Sequence, residues 1–223
     1  MKPKFAYFSI ISSFFVAMLL ISNIVATKLI SLGPFIFTGG IIVFPITYIF
    51  SDILTEVYGY ARSRKIIWTG FFSLILMSII LWIVNILPPA PAWPNQDAYT
   101  TILGTIPKIV VASIIGYWAG EFANSYVLAK LKILTKGKYL WMRTIGSTIV
   151  GEGIDTLLFV FIGFAGTIPL KVLIIAVFSS YIFKVLYEIL ATPATYKIVS
   201  FLKKKEHCDA VDKRTNFNPF KMN

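Results

Sequence analysis

The sequence predicts an all-α integral membrane protein of six transmembrane helices, with both termini in the cytoplasm. Three observations predict it. Of 223 residues, 57% are hydrophobic and 14% charged, against about a quarter charged in soluble domains, and the mean hydropathy is +0.78. The apolar residues fall into six runs, 5–26, 35–58, 66–87, 106–128, 144–165 and 172–199, each near or above the ~20 residues that ~30 Å of hydrocarbon requires. Lysine and arginine alternate sides: seventeen lie in the N-tail, the second-to-third and fourth-to-fifth connections and the C-tail, against Lys28, Lys108 and Lys171 in the opposite connections. By the positive-inside rule the rich side is cytoplasmic. Residues 1–200 are thus expected to form the transmembrane domain and 201–223 a basic cytoplasmic tail.

The first run follows Lys2 and Lys4 and resembles a signal sequence. It is too long for a signal h-region and no small-residue cleavage site follows, so it reads as a permanent span. Asn23 and Lys28 are polar groups at its outer end. The second run carries Asp52 and Glu56 and is followed by Arg62, Arg64 and Lys65, whereas the third has no acid at all. The connection 88–107 is rich in proline, with Trp93, Asp97 and Tyr99. It reads as an extracytoplasmic loop or, more sharply, as a lid over an outward-facing cavity. The fourth run carries Glu121, and Lys130, Lys132, Lys136, Lys138 and Arg143 follow it. The fifth, GSTIVGEGIDTLLFVFIG at 146–163, holds Glu152 and Asp155 near its middle, Glu152 flanked by Gly151 and Gly153. The sixth carries Lys184 and Glu188, and Pro193 is expected to interrupt it after Thr192. Glycine-softened or broken helices beside polar groups suit a substrate site near the midplane.

Six of the ten acidic residues fall within or at the edge of the runs, with Lys184 the one basic residue deep in a span. The spacings Asp52–Glu56, Glu152–Asp155 and Lys184–Glu188 place each pair on one helical face. Polar residues can act as helix–helix glue at roughly 0.6–2 kcal/mol each, but six acids against one lysine leave five charges without a partner inside the spans. Glu121, Asp52 and Glu56 lie toward the cytoplasmic ends and can snorkel or pair with Arg62, Arg64 or Arg143. Asp155 and Lys184 have no such escape, which points to a functional cavity.

Other classes are excluded. The net charge of +11 sits in loops and tails, as topology signals rather than a nucleic-acid surface. Cys208 beside His207 reads as a solvated tail thiol, with too few ligands for a metal. DILTEVYGYAR at 52–62 faintly resembles the metal-binding motif of membrane CDP-alcohol phosphotransferases, but the following GFFSLILMSII at 70–80 holds none of the aspartates that chemistry needs. Walker A, HExxH and GxSxG motifs are missing as well. The expectation is a transporter with no cofactor, no metal and no catalytic residues.

Three stretches together carry a family resemblance: SDILTEVYGYARSRK at 51–65, STIVGEGIDTLLFVFIGFAG at 147–166 and YIFKVLYEILATPATYK at 181–197, with SNIVATK at 22–28 fitting as well. They resemble the queuosine precursor transporter family, also called the vitamin uptake transporter family, over essentially the whole chain. The resemblance implies a six-span bacterial inner-membrane protein that imports 7-deazaguanine bases such as preQ0, preQ1 or queuine for tRNA queuosine synthesis or salvage. It also implies a fold similar to the substrate-binding components of energy-coupling-factor importers. Carried over by position, its polar core is Asn23, Asp52, Asp155 and Lys184, with Glu152 and Glu188 as further substrate-binding candidates. Glu56, Glu121, Lys28, Arg143 and Tyr181 are candidates for coupling or support. A carboxylate can accept the donor edge of a deazaguanine from two hydrogens at once. Asp155 or Glu152 is expected to do so, Lys184 or Asn23 to meet O6, and Tyr181, Phe183 or Trp118 to stack on the ring. The expected partners are this small molecule and the lipid bilayer, and a homodimer or separate ATPase subunits are compatible with the sequence. The alternative is a transporter or binding module for another small heterocycle or vitamin, driven by such subunits.

Overall fold

The computed structural model describes residues 5–32, 35–104, 106–164 and 169–221. Lys2 and Lys4 lie outside the described residues. In chain order the elements are α1 (Ala6–Val25), β1 (Leu29–Leu32), β2 (Phe35–Thr38), α2 (Phe44–Tyr58), α3 (Tyr60–Ile86), the short α4 (Gln96–Leu103), α5 (Ile106–Leu134), α6 (Leu140–Phe164) and α7 (Leu170–Glu206). The long helices alternate in direction between two ends of one bundle. The hairpin β1–β2 marks one end and residues 207–221 the other, called here the hairpin end and the tail end. Among the described residues, five segments are long and apolar enough to cross a membrane: Ala6–Val25, Gly39–Tyr58, Tyr60–Ile86, Leu140–Gly163 and Leu173–Glu206. α5 is as long, at 29 residues, and buries Glu121, Asn124 and Ser125.

The second span begins later than the hydropathy predicts. Residues 35–38 pair antiparallel with 29–32, Leu32 opposite Phe35 and Leu29 opposite Thr38. Leucine, isoleucine and phenylalanine satisfy a strand as well as a membrane helix, so the apolar run alone did not separate the two. Gly39 sends the hairpin back onto α1: its N–H bonds the Lys28 carbonyl at 2.7 Å, and a Cβ there would stand 2.4 Å from the Val25 carbonyl oxygen. A 3-10 turn, Gly39–Ile42, leads into α2, with Pro45 in its first turn where a missing N–H costs nothing.

Two expected points of flexibility are points of contact instead. Pro193 does not interrupt α7, which runs unbroken for 37 residues, ~55 Å at 1.5 Å per residue. The Thr192 hydroxyl adds a bond to the Glu188 carbonyl at 2.9 Å, the kind of side-chain support that lets proline sit inside membrane helices. The boundary expected at residue 200 accordingly falls inside α7. Gly151 does not soften α6. A Cβ there would lie 2.6 Å from Asn124 Cβ, and one on Gly120 would lie 2.7 Å from Asp155 Cβ. These small residues let α5 and α6 approach backbone to backbone.

The tail end is sealed by the segment expected to be solvated. Tyr60 N–H donates to Asp212 Oδ2 at 3.0 Å, Arg64 Nη1 to the Asn216 and Asn218 carbonyls at 2.8 and 2.6 Å, and Trp68 Nε1 to the Pro219 carbonyl at 2.9 Å. Phe220 packs on Trp68 and Trp118. Cys208 is half-buried, its Sγ donating to the Val57 carbonyl at 3.3 Å, and burial pushes its thiol pKa up. Asp209 is exposed, and although some loss of solvent opposes its ionisation, hydrogen bonds from Lys132 and Lys203 hold its carboxyl below the usual range.

Candidate functional site

The central polar group is built from α6 and α7. Glu152, Asp155 and Thr156 occupy adjoining positions on α6 and face Lys184 of α7. Lys184 Nζ donates to Glu152 Oε2 at 2.7 Å, Asp155 Oδ2 at 3.0 Å and Thr156 Oγ1 at 3.1 Å, which engages all three ammonium hydrogens. The ammonium also stands 4.4 Å from the centre of the Phe44 ring. Two carboxylates and one ammonium give the group a net single negative charge.

This group borders a cavity of about 210 Å³ toward the hairpin end. Asp155 and Lys184 line it together with Asn23 of α1, Thr38 and Gly40 after the hairpin, Phe44 of α2, Ser113 and Tyr117 of α5, Phe159 of α6 and Ser180 of α7. Asn23 uses one amide hydrogen on the Leu19 carbonyl, at 3.0 Å. The walls are mostly apolar and aromatic with few polar groups, the usual make-up of a small-molecule site.

The predicted residues sort into three groups. Asn23, Asp155 and Lys184 meet at the cavity, and Glu152 stands behind Lys184. Asp52, Glu121 and Glu188 are buried but do not line it. Asp52 Oδ1 accepts from Asn124 Nδ2 at 2.7 Å, and Glu121 Oε2 accepts from the Ser51 hydroxyl at 2.5 Å. The third group lies at the tail end. Glu56, 0% exposed, receives Arg143 Nη2 at 2.7 Å, Lys203 Nζ at 2.6 Å and Lys132 Nζ at 3.3 Å. Glu56 and Arg143 therefore brace the tail end, away from the cavity.

Several expectations change. Lys184, expected to meet a substrate carbonyl, directs its three hydrogens to Glu152, Asp155 and Thr156. Among the described residues five acids do not go unpaired: Glu56, Glu152 and Asp155 have cations, leaving Asp52, Glu121 and Glu188 without one. Glu121 is not reached by an arginine. Arg62 bonds the Tyr58 carbonyl, and Arg64 holds the tail. Tyr181 turns to the Ile149 carbonyl at 3.2 Å, Phe183 packs on Phe37, and Trp118 sits between Trp68 and Phe122. None of the three lines the cavity. Lys28 is exposed beyond α1. No described residue of 88–104 lines the cavity either, because Gln96 and Thr100 tie α4 to Asn85 at the end of α3. At the hairpin end Thr38, Gly40 and Ile41 line the cavity. The aromatic walls Phe44, Tyr117 and Phe159 were missed. The signal for two of them was present: Ser113–Tyr117–Glu121 and Asp155–Phe159 repeat at four residues from charged positions.

Comparison with known proteins agrees with this architecture. A family model described as "Putative vitamin uptake transporter" matches residues 38–198. A protein of Bacillus subtilis (strain 168) named "Probable queuosine precursor transporter" is 27% identical over 186 residues, 83% of this chain and 81% of the relative. The "Queuosine precursor transporter" of Escherichia coli (strain K12) is 25% identical over 154 residues, 69% of this chain and 67% of the relative. A "Probable queuosine precursor transporter" of Haemophilus influenzae is 25% identical over 145 residues, 63% of this chain and 59% of the relative. No solved structure matches the chain significantly. The family and these relatives are named as transporters, not enzymes, which sets aside the faint phosphotransferase likeness of 52–62. With several long apolar helices and a family match over 38–198, the chain belongs to the vitamin uptake transporter family as a multi-pass membrane protein.

Proposed function

We propose that this protein imports a queuosine precursor, a 7-deazaguanine base, across a bacterial plasma membrane, with the tail end in the cytoplasm. The observation that carries the reading is the meeting of Asn23 and the Asp155–Lys184 pair in one aromatic-walled cavity. A deazaguanine is flat, with N1–H and a 2-amino group on one edge and O6 beside them. Asp155 accepts from the donor edge, and Lys184 holds that carboxylate in place. Asn23 offers its second amide hydrogen to O6, and Phe44, Tyr117 or Phe159 stacks on the ring. The names of the three relatives support the substrate class.

The test is complementation of a bacterium that lacks both de novo queuosine synthesis and its own importer. preQ0, preQ1 or queuine is fed at nanomolar concentration, and queuosine in tRNA is read by boronate-gel shift. Restoration by one compound fixes function and substrate together. Failure with all three, while the protein is present in the membrane, rejects the reading in favour of another heterocycle or a mode that needs ATPase subunits.

A further inference from the structure

Below the cavity, toward the tail end, lies a second polar site whose hydrogen-bond pattern is unlike that of the first. Asp52 and Glu121 are 0% exposed and Glu188 is 1% exposed, with no cation in contact among the described residues. Each keeps one oxygen bare: Asp52 Oδ2, Glu121 Oε1 and Glu188 Oε1 have no hydrogen-bond partner. Acids retained only for packing would not be left so, since a buried unpaired polar atom costs about 1–3 kcal/mol. Asn124, also 0% exposed, points the same way independently. Its Nδ2 is fixed on Asp52 at 2.7 Å while its Oδ1, in the same amide, has no partner. The Thr148 hydroxyl is likewise unpartnered, next in sequence to Ser147, whose hydroxyl lies 3.5 Å from Asp52 Oδ1. The site holds acceptors in excess of hydrogens.

The acids form a series rather than a shell. Asp155 borders the cavity and shares Lys184 with Glu152. Glu152 lies within electrostatic reach of Glu188, and Glu188 of Asp52. Among the described residues no three His, Cys, Asp or Glu side chains converge to enclose a metal ion. Alkali and divalent cations are held by several oxygens at once, whereas a proton occupies one carboxyl at a time.

We propose that Asp52 and Glu188 form a proton-binding site, separate from the substrate cavity, that couples import to proton entry. The inference rests on the import reading above. A proton arriving through the cavity converts the Glu188 carboxylate to the acid and then passes to Asp52, restoring Glu188. Release toward the tail end restores Asp52. One proton crosses with each base, and no other bond is made or broken. The charged groups facing Asp52 are Glu188 of α7, Glu121 of α5 and Glu56 of its own helix. Those facing Glu188 are Asp52, Glu152 of α6 and Lys184 one turn away on its own helix. α1 carries no charged residue, and the charges of α3 lie at its tail end. Lys132, Arg143 and Lys203 are held by Glu56, so Asp52 and Glu188 are left to titrate.

The experiment reconstitutes the full chain in liposomes with labelled preQ0, which is uncharged. With the interior one pH unit more alkaline, one proton per base gives about tenfold accumulation, since 1.4 kcal/mol corresponds to a factor of ten, and an internal pH dye reports acidification in step with uptake. In Asp52→Asn and Glu188→Gln the accumulation falls to about onefold, while counterflow exchange of the base is still measurable. Accumulation driven by a sodium gradient at equal pH would overturn the proposal. So would wild-type accumulation that ignores the pH gradient, or full accumulation in both variants. The wild-type gradient data decide these cases even where a variant fails to fold. Lack of counterflow exchange for preQ0, preQ1 and queuine in the wild type is a different result: it rejects the import reading and this inference with it.

Discussion

Lys184 Nζ stands 2.7 Å from Glu152 Oε2 across the α6–α7 interface, with the lysine side chain 10% exposed and the glutamate 1%. The same ammonium holds Asp155, so Lys184→Met strands two acids at once. Breaking a buried pair from one side typically costs about 3–5 kcal/mol. Lys184→Met is expected to lower the unfolding temperature in detergent and abolish uptake. Lys184→Met/Glu152→Gln, with one stranded acid neutralised, should recover part of the stability and none of the transport. Equal thermal stability of the single variant and wild type would remove the basis for the pairing.

Glu56 presents the opposite case, one buried carboxylate under three cations. Glu56→Gln leaves Arg143 without its carboxylate and Lys132 and Lys203 with Asp209 alone, and is expected to destabilise by about 3–5 kcal/mol. Because Glu56 is remote from the cavity, the affinity for the base, measured by calorimetry on the folded fraction, should stay within about twofold, less than 0.5 kcal/mol. A large loss of affinity with unchanged stability would put Glu56 in the site instead.

Gly151→Ala tests the α5–α6 contact. The new methyl would meet Asn124 Cβ at 2.6 Å and the Gly120 carbonyl oxygen at 2.9 Å, and backbone on one side cannot yield. Overpacking of this kind costs roughly 1–3 kcal/mol. Since Asn124 also holds Asp52, thermal stability and uptake should fall together. Gly153→Ala is the control, its Cβ meeting only Tyr181 Cε2 at 3.6 Å, an ordinary contact.

Docking of the tail should depend on acid pH. The Asp209 carboxyl titrates below the ordinary ~3.9 of an aspartate, because Lys132 and Lys203 donate to it in the folded state. A folded pKa below the unfolded one gives stabilisation that is complete above the unfolded value and is lost as pH falls through the folded value. Protease cleavage after residue 206 should therefore be slow at pH 5–7 and rise below about pH 4. Asp209→Asn should show the faster cleavage already at neutral pH. A flat profile in the wild type would exclude this contact as the anchor.

Length and hydropathy made the bundle legible, and the spacing of Glu152 and Asp155 put both acids on one face of α6, the face that Lys184 meets. The limits show at Asp52 and Glu56. Four residues apart, they share a helical face, yet Asp52 meets Asn124 while Glu56 meets Arg143, Lys132 and Lys203. Four residues rise about 6 Å along the axis, enough to move from the interior of a bundle to its rim, and spacing on one helix carries no information about which neighbours wait there. The hairpin was hidden for a similar reason, since LISL and FIFT satisfy the composition of a span. The docked tail was hidden because its anchors Phe217 and Phe220 are isolated among polar residues and form no periodic pattern.

The carboxylate that accepts the first N–H of α3, Asp212 bonding Tyr60, lies 152 residues further along the chain. An acid at a helix N-terminus satisfies a free donor and opposes the helix dipole, but this one is made late. At about 5–20 residues per second, the ribosome reaches it roughly 8–30 s after Tyr60. For that interval a nascent copy has an uncapped helix start, and its Trp68 Nε1 and Arg64 lack the carbonyls they later bond. Closure of that face therefore waits for residues 212–219, which are made only after every membrane helix has been synthesised.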